Sequence, residues 1–384
     1  MFIKKVLSLQ INMKQLPVLP ETDCCGCGTC EQICPQQCTI MQADQDGFLY
    51  PQVNAERCVG CAKCEKACPV LHPYSERNPL ASYAAINPDE YVRMNSSSGG
   101  VFTLLAEQVI SKNGYVFAAR FDDSWNVVHD KTNDKDSLYL FRGSKYVQSC
   151  IGHTFRDIRG LLNQGISVLF VGTPCQVAGL NHFLGKQYEQ LLTVDFICHG
   201  VPSPAVWQWY IQWECRRIAR KSLKGLWSYL TERKTFVKRI DFRNKVEGWK
   251  RYHTIIETKA SRSEVFYKDN PYMQAFLNDM DLRPSCHQCK MKEGRSHSDI
   301  TIADFWNVHK VIDGYDDDKG TSLVLVNSEK GADVFSTLSC RSIQVNFPDA
   351  IHYNPAWRKP YPENPQRQAF MKQYKSHFDD LIIR

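Results

Sequence analysis

Residues 165–176 read GISVLFVGTPCQ and residues 191–200 read LLTVDFICHG. The first is an apolar run and the second a largely apolar one interrupted by Thr193 and Asp195; each ends in a turn and reaches a cysteine. Val, Leu, Ile and Phe without polar alternation predict strands covered on both faces, the pattern of a buried parallel sheet. The segment between them, VAGLNHFL (177–184), reads as a helix, so strand and helix alternate as in an α/β layer. In such sheets ligands collect beyond the carboxyl ends of the strands. Cys175 and Cys198 fall there. Farther along, SCHQC (285–289) supplies a Cys-x-x-Cys pair, Cys286 and Cys289. These four thiols make a candidate metal site. By spacing alone it suits a zinc ion and a four-iron cluster equally. The plain alternative is that Cys175 and Cys198 are buried apolar cysteines.

Two further cysteine runs lie near the N-terminus. Residues 24–35 read CCGCGTCEQICP and residues 58–69 read CVGCAKCEKACP. Each contains Cys-x2-Cys-x2-Cys-x3-Cys-Pro, the bacterial ferredoxin run, in which the fourth cysteine ligates the other cluster. The expected sets are therefore Cys24, Cys27, Cys30 with Cys68, and Cys58, Cys61, Cys64 with Cys34. Gly26, Gly28 and Gly60 let the backbone turn tightly against the sulfurs. A pair of zinc ribbons would show two Cys-x-x-Cys pairs with a longer spacer instead. Cys25 and Cys38 sit beside the motif as bystanders. Two clusters here tilt the site at 175, 198, 286 and 289 toward iron, because a third would extend an electron path.

Composition agrees. Seventeen cysteines, an odd number, cannot all pair, which turns the reading from disulfides to metal or redox chemistry. The formal charge of +6 suggests an acidic partner. However, a cluster held by four thiolates carries about −2, so three would leave the loaded protein roughly neutral and remove the argument for nucleic acid. No apolar run reaches the ~18–20 residues of a membrane span. The first residues, MFIKKVLSLQ, lack the cleavage pattern of a secretory signal and read as a flexible tail.

PVLHPYSERNPL (69–80) is a linker rich in proline and polar residues. Beyond it, SSSGGVFTLLAEQVISKNG (96–114) opens on small residues and runs into an amphipathic helix. Such a turn can present backbone N–H groups to a phosphate or a flavin pyrophosphate, or it is an ordinary helix start packed closely. FRGSKYVQS (141–149) offers Ser144 and Lys145, a lysine able to neutralise a phosphate or a reduced flavin, or simply a solvated one. No dinucleotide fingerprint and no Walker A run occurs. The basic stretch CRRIARKSLKG (215–225) reads as a solvated helix face, Trp207, Trp213, Trp227 and Trp249 as packing residues, and the proline-rich, basic tail after about residue 350 as loosely attached.

GTPCQVAGL, DFICHGVPSP, the Cys-x-x-Cys and SDITIADFW followed by DKGTSLVLVN resemble the coenzyme F420 hydrogenase/dehydrogenase beta-subunit family, and SSSGGVFTLL and GSKYVQS fit its N-terminal part. The likeness spans roughly residues 80–330. It implies an α+β ferredoxin-like cluster domain at 21–75 and then an α/β flavin/iron–sulfur domain, with 80–160 and 161–330 as its two parts, after a tail at 1–20 and before an extension at 331–384. It implies a third [4Fe-4S] cluster on Cys175, Cys198, Cys286 and Cys289, and FAD near Ser98, Gly99, Gly100, Ser144 and Lys145. It also implies a cytoplasmic oxidoreductase that moves electrons between clusters, FAD and coenzyme F420 or another small organic substrate, with a redox partner protein. The other reading is an electron-transfer subunit with no organic substrate of its own. One departure stands out. The family often has Gly-Asp where this chain has Ala303–Asp304, and Ala303 would restrict a turn there.

Overall fold

A computed structural model of the chain describes residues 19–232 and 235–382. The expected N-terminal tail lies outside these apart from its last two residues.

The cysteine-rich N-terminal segment folds round a hairpin, β1 (Thr39–Ala43) paired antiparallel with β2 (Leu49–Val53). Two short helices, Thr29–Ile33 and Lys63–Lys66, carry the cysteine runs beside it. The next strands are β3 (Ala81–Ile86), β4 (Tyr115–Phe121), β5 (Val127–Thr132), β6 (Val168–Val171) and β7 (Leu191–Phe196). Then follow β8 (Val237–Asn244), β9 (His253–Thr258), β10 (Arg262–Phe266), β11 (Ile300–Asp304), β12 (Ser322–Val326) and β13 (Arg341–Val345).

Eight of them form one sheet in the order β13-β3-β12-β11-β7-β6-β4-β5. The apolar runs place β6 and β7 at its centre, and every residue of β6 is buried. β4, β6, β7 and β11 run parallel. The flanks are antiparallel: β5 pairs β4 on one side, and β12, β3 and β13 alternate in direction on the other. The sheet is thus mixed, parallel only where helices cross over between neighbouring strands. It also draws on all three segments after the linker, so 80–160, 161–330 and the start of 331–384 share one layer.

A second sheet, β10-β9-β8, is antiparallel. With the helix Pro204–Ala219 it encloses an aromatic core of Trp207, Tyr210, Phe242 and Tyr272. Trp207 stacks edge-on to Tyr272 at 5.1 Å and donates its indole N–H to the Trp125 carbonyl. Trp249 is also buried. Trp227, read as a packing residue, is 71% exposed instead.

Two other expectations change. Residues after 350 are anchored: Ile351, Trp357, Phe370 and Tyr374 are buried, and buried Arg367 donates to the Leu282 carbonyl. Composition concealed this, because the few aromatic anchors are spaced among prolines and charges. Ala303 is not in a turn. It lies within β11 opposite Leu323, a position any residue with a side chain can occupy.

Candidate metal centre

β6 and β7 are parallel neighbours, so their carboxyl ends open on the same side. After β6, Thr173 caps the helix Pro174–Leu184: its hydroxyl accepts from Gln176 N–H while the Gln176 side chain accepts from Thr173 N–H. This capping box fixes Cys175 in the first helical turn, with its Sγ 3.1 Å from the Thr173 hydroxyl. Cys198 lies two residues past β7. The Cys-x-x-Cys pair arrives on a 3-10 turn, Pro284–Gln288, held by the Arg283 N–H to Val201 carbonyl bond and by Val201 N–H donating to Cys286 Sγ at 3.4 Å. Lys292 Nζ donates to the Cys198 carbonyl at 2.7 Å. Cys175, Cys198, Cys286 and Cys289 thereby line one cavity, about 840 Å³ including its opening to solvent.

The N-terminal cysteines divide between two further cavities. Cys24, Cys27, Cys30 and Cys68 line one, and Cys34, Cys58, Cys61 and Cys64 line the other, with Cys64 also reaching the first. The fourth cysteine of each run thus joins the other run's three. Among the described residues no group of three His, Cys, Asp or Glu side chains could hold a single metal ion; the thiols ring cavities.

Two cysteines set aside as bystanders line these spaces. Cys38 Sγ lies 3.4 Å from Cys34 Sγ. Cys25 lines both the Cys24 cavity and the Cys175 cavity. Its hydrogen bonds to Cys175 and Cys27 push its own thiol well up; they lower Cys27 to about 6 and lower Cys175 against the opposing effect of burial. At Cys198 and Cys286 burial dominates and raises both thiols, Cys286 to about 12. Nearby cations pull the other way, Lys292 at Cys198 and Arg283 at Cys286.

Arg283 is the residue that sequence reasoning missed. It is 0% exposed and sits between the N-terminal segment and the large sheet. Its guanidinium donates to the Cys24 carbonyl at 2.7 Å, the Leu49 carbonyl at 3.0 Å and Gln148 Oε1 at 2.9 Å, and it lies 4.1 Å over the Tyr50 ring. Gly26 makes room for this fork: at φ +68°, a Cβ there would come within 2.8 Å of Arg283 Nη1. None of these partners is a carboxylate. A buried cation without a counter-charge costs several kcal/mol, and thiolates in the flanking cavities would offset it. The only signal in the sequence is its place three residues before Cys286. Further ties fix the same seam: Gln32 Oε1 accepts from Phe155 and Arg156 N–H, and the Asp46 carbonyl accepts from Ser203 Oγ.

The expected flavin segments also meet. Ser144 N–H and hydroxyl both bond the Ser97 hydroxyl, at 2.6 and 2.9 Å. Ser98 Oγ donates to the Thr321 carbonyl, and Gly99 N–H donates to Ser322 Oγ. Gly100, at φ +83°, starts the helix Val101–Ser111 without a side-chain cap. Lys145 Nζ donates to the Arg142 and Gly143 carbonyls, and burial pushes it down to about 7. Beside them Arg243 on β8 forks onto Asp304 and donates to the Tyr146 hydroxyl. Much of this turn's hydrogen bonding is therefore made within the protein.

Two family models match the chain. Residues 166–346 match the family model for the C-terminal part of the coenzyme F420 hydrogenase/dehydrogenase beta subunit. Residues 23–71 match that of the 4Fe-4S dicluster domain. No curated protein matches. Among solved structures, a chain from the xenon-derivatised F420-reducing [NiFe] hydrogenase complex of Methanosarcina barkeri aligns at 14% identity and a TM-score of 0.45, over 80% of this chain and 91% of that one. Among the described residues no helix is long and apolar enough to cross a membrane. The chain thus carries a segment, 166–346, similar to the C-terminal part of the coenzyme F420 hydrogenase/dehydrogenase beta subunit, preceded at 23–71 by one similar to a 4Fe-4S dicluster domain.

Proposed function

We propose that the chain is an iron–sulfur flavoprotein oxidoreductase with three [4Fe-4S] sites and an FAD site, acting on a deazaflavin or another organic substrate. The observation that carries this is the third ring of thiols, Cys175, Cys198, Cys286 and Cys289, whose cavity shares Cys25 and Val70 with that of the Cys24 ring. The donor set is all sulfur, which suits soft iron–sulfur chemistry. Two four-iron sites expected in the same chain favour a cluster over one zinc ion, since a third would extend an electron path.

When bound, the clusters would supply single-electron steps and the flavin would pair them. The chain's own residues would do the rest. The twelve cysteines hold the metal sites. Arg283 and Lys292 supply positive charge beside the thiolates of the third ring. Trp357 and Val70 cover part of that ring with apolar surface. Ser98, Gly99, Gly100 and Ser144 would frame the flavin, and Lys145 would face its negative charge.

The second reading, an electron-transfer subunit serving a partner enzyme, is favoured by the internal hydrogen bonding of the Ser97–Gly100 turn. Anaerobic purification followed by flavin release and quantification decides between them. One flavin per chain is expected. Full iron with no flavin would favour the second reading.

A further inference from the structure

The helix Leu223–Thr231 turns its apolar residues outward. Leu223 is 88% exposed, Trp227 71% and Leu230 67%, at the i, i+4, i+7 spacing of a single helical face. The buried side of this helix is small: Gly225 packs against the Ala219 carbonyl and Ala260, where a Cβ would meet atoms at 2.9 and 3.3 Å. So the stripe is not a core face that slipped. The helix is seated on the protein through glycine, with its large side chains left in water. Contiguous apolar surface of this kind marks an interaction site.

Exposed cations flank this helix in the chain. Arg216, Arg220, Lys221 and Lys224 are exposed along the same stretch. The carboxylates there are already engaged: Glu214 is gripped by Arg217, and Glu232 by Lys259. Leu223, Trp227 and Leu230 thus share a segment with four exposed cations that have no carboxylate partner among the described residues, and such a segment complements an acidic surface.

An acidic macromolecular surface could be a nucleic acid, a protein or a lipid bilayer; nucleic acid is bound through cations and stacking aromatics and gives no role to the exposed Leu223 and Leu230. Protein interfaces take Trp and Arg but are depleted in lysine. A helix that lies in a bilayer interface shows Lys and Arg on its polar side with Trp and Leu on the other. Nine residues span ~13 Å, enough to lie flat in the headgroup region and far too short to cross it. We propose that this helix docks the protein on an anionic lipid surface, Leu223, Trp227 and Leu230 entering the interface and Arg216, Arg220, Lys221 and Lys224 meeting lipid phosphates. This is independent of the iron–sulfur reading, since none of these residues touches a cysteine cavity.

The test is co-sedimentation of the full chain with phosphatidylcholine vesicles, with and without phosphatidylserine. Binding should be at least tenfold tighter with phosphatidylserine and should weaken in high salt. Lys221→Gln/Lys224→Gln should weaken it about 25-fold, from about fivefold per basic residue. Leu223→Ser/Trp227→Ser/Leu230→Ser should abolish it. Because these side chains are exposed, each variant should keep the wild-type iron content and thermal midpoint, which separates lost binding from lost fold. No binding to either vesicle overturns the proposal. So does concentration-dependent self-association of the wild type that the triple variant abolishes, which would make the stripe an interface between copies.

Discussion

Replacing Arg283 with glutamine removes a positive charge from the seam between two cysteine rings and leaves a side chain that still fills space. Burial raises the Cys24 and Cys286 thiols, and Arg283 opposes that rise at both, so its charge reaches each ring. Reduction adds an electron to a cluster, and a nearby cation stabilises the added charge. For an assumed separation of roughly 8 Å and an effective dielectric of about 20, one elementary charge would be worth ~2 kcal/mol. Since about 1.4 kcal/mol is tenfold, or about 59 mV for a one-electron couple, the midpoint of the adjacent clusters should fall by ~90 mV in Arg283→Gln. Arg283→Lys keeps the charge but loses the fork to Cys24, Leu49 and Gln148, so it should shift the potential far less. A redox titration followed by EPR reads both. A midpoint within ~20 mV of wild type in the glutamine variant, with full iron retained, would refute the electrostatic role given to Arg283.

Other expectations test separate parts of the account. Cys286→Ser should lose about four of about twelve irons and leave the N-terminal pair spectroscopically intact; undiminished iron would show the ligand assignment to be wrong. In Gly99→Ala the new Cβ would sit 2.4 Å from the Ala85 carbonyl oxygen and 2.7 Å from Ser322 N, so the turn must shift. A loss of ~1–3 kcal/mol in denaturant unfolding is expected, and an unchanged midpoint would count against the close approach. Asp281 is fully buried, neither carboxylate oxygen has a hydrogen-bond partner, and burial pushes its carboxyl up to about 8. The folded state then keeps a proton that the unfolded chain releases above about pH 4. Stability from this group is full below that and is lost as pH rises through about 8. Asp281→Asn should lose less thermal stability than wild type between about pH 6 and about pH 9, and parallel curves would contradict this.

The cysteine rings were legible because cysteines are rare residues, here at the spacings a cluster would dictate. Cys175 and Cys198 were legible for another reason: two largely apolar runs predict buried parallel strands, and parallel neighbours bring their ends together. The antiparallel flanks were hidden, since β12 is nearly as apolar as β6 and is buried throughout, which erases the alternation of an antiparallel strand, while β3 is too short to show more than a trace of it. Arg283 was hidden because arginine is ordinarily a surface residue, and only the contacts to Cys24, Leu49 and Gln148 reveal its burial. Trp227 misled in the opposite direction, since aromatic residues at helical spacing usually face a core. Cys25 looked like an extra residue in a known run, yet it occupies the wall between two rings.

The most direct test of the central claim is the metal and flavin content of the chain purified without oxygen. The account predicts about twelve irons with matching sulfide, one flavin and no zinc per chain. About eight irons with one zinc and no flavin would contradict it, making the ring of Cys175, Cys198, Cys286 and Cys289 a structural site and the protein a two-cluster electron carrier.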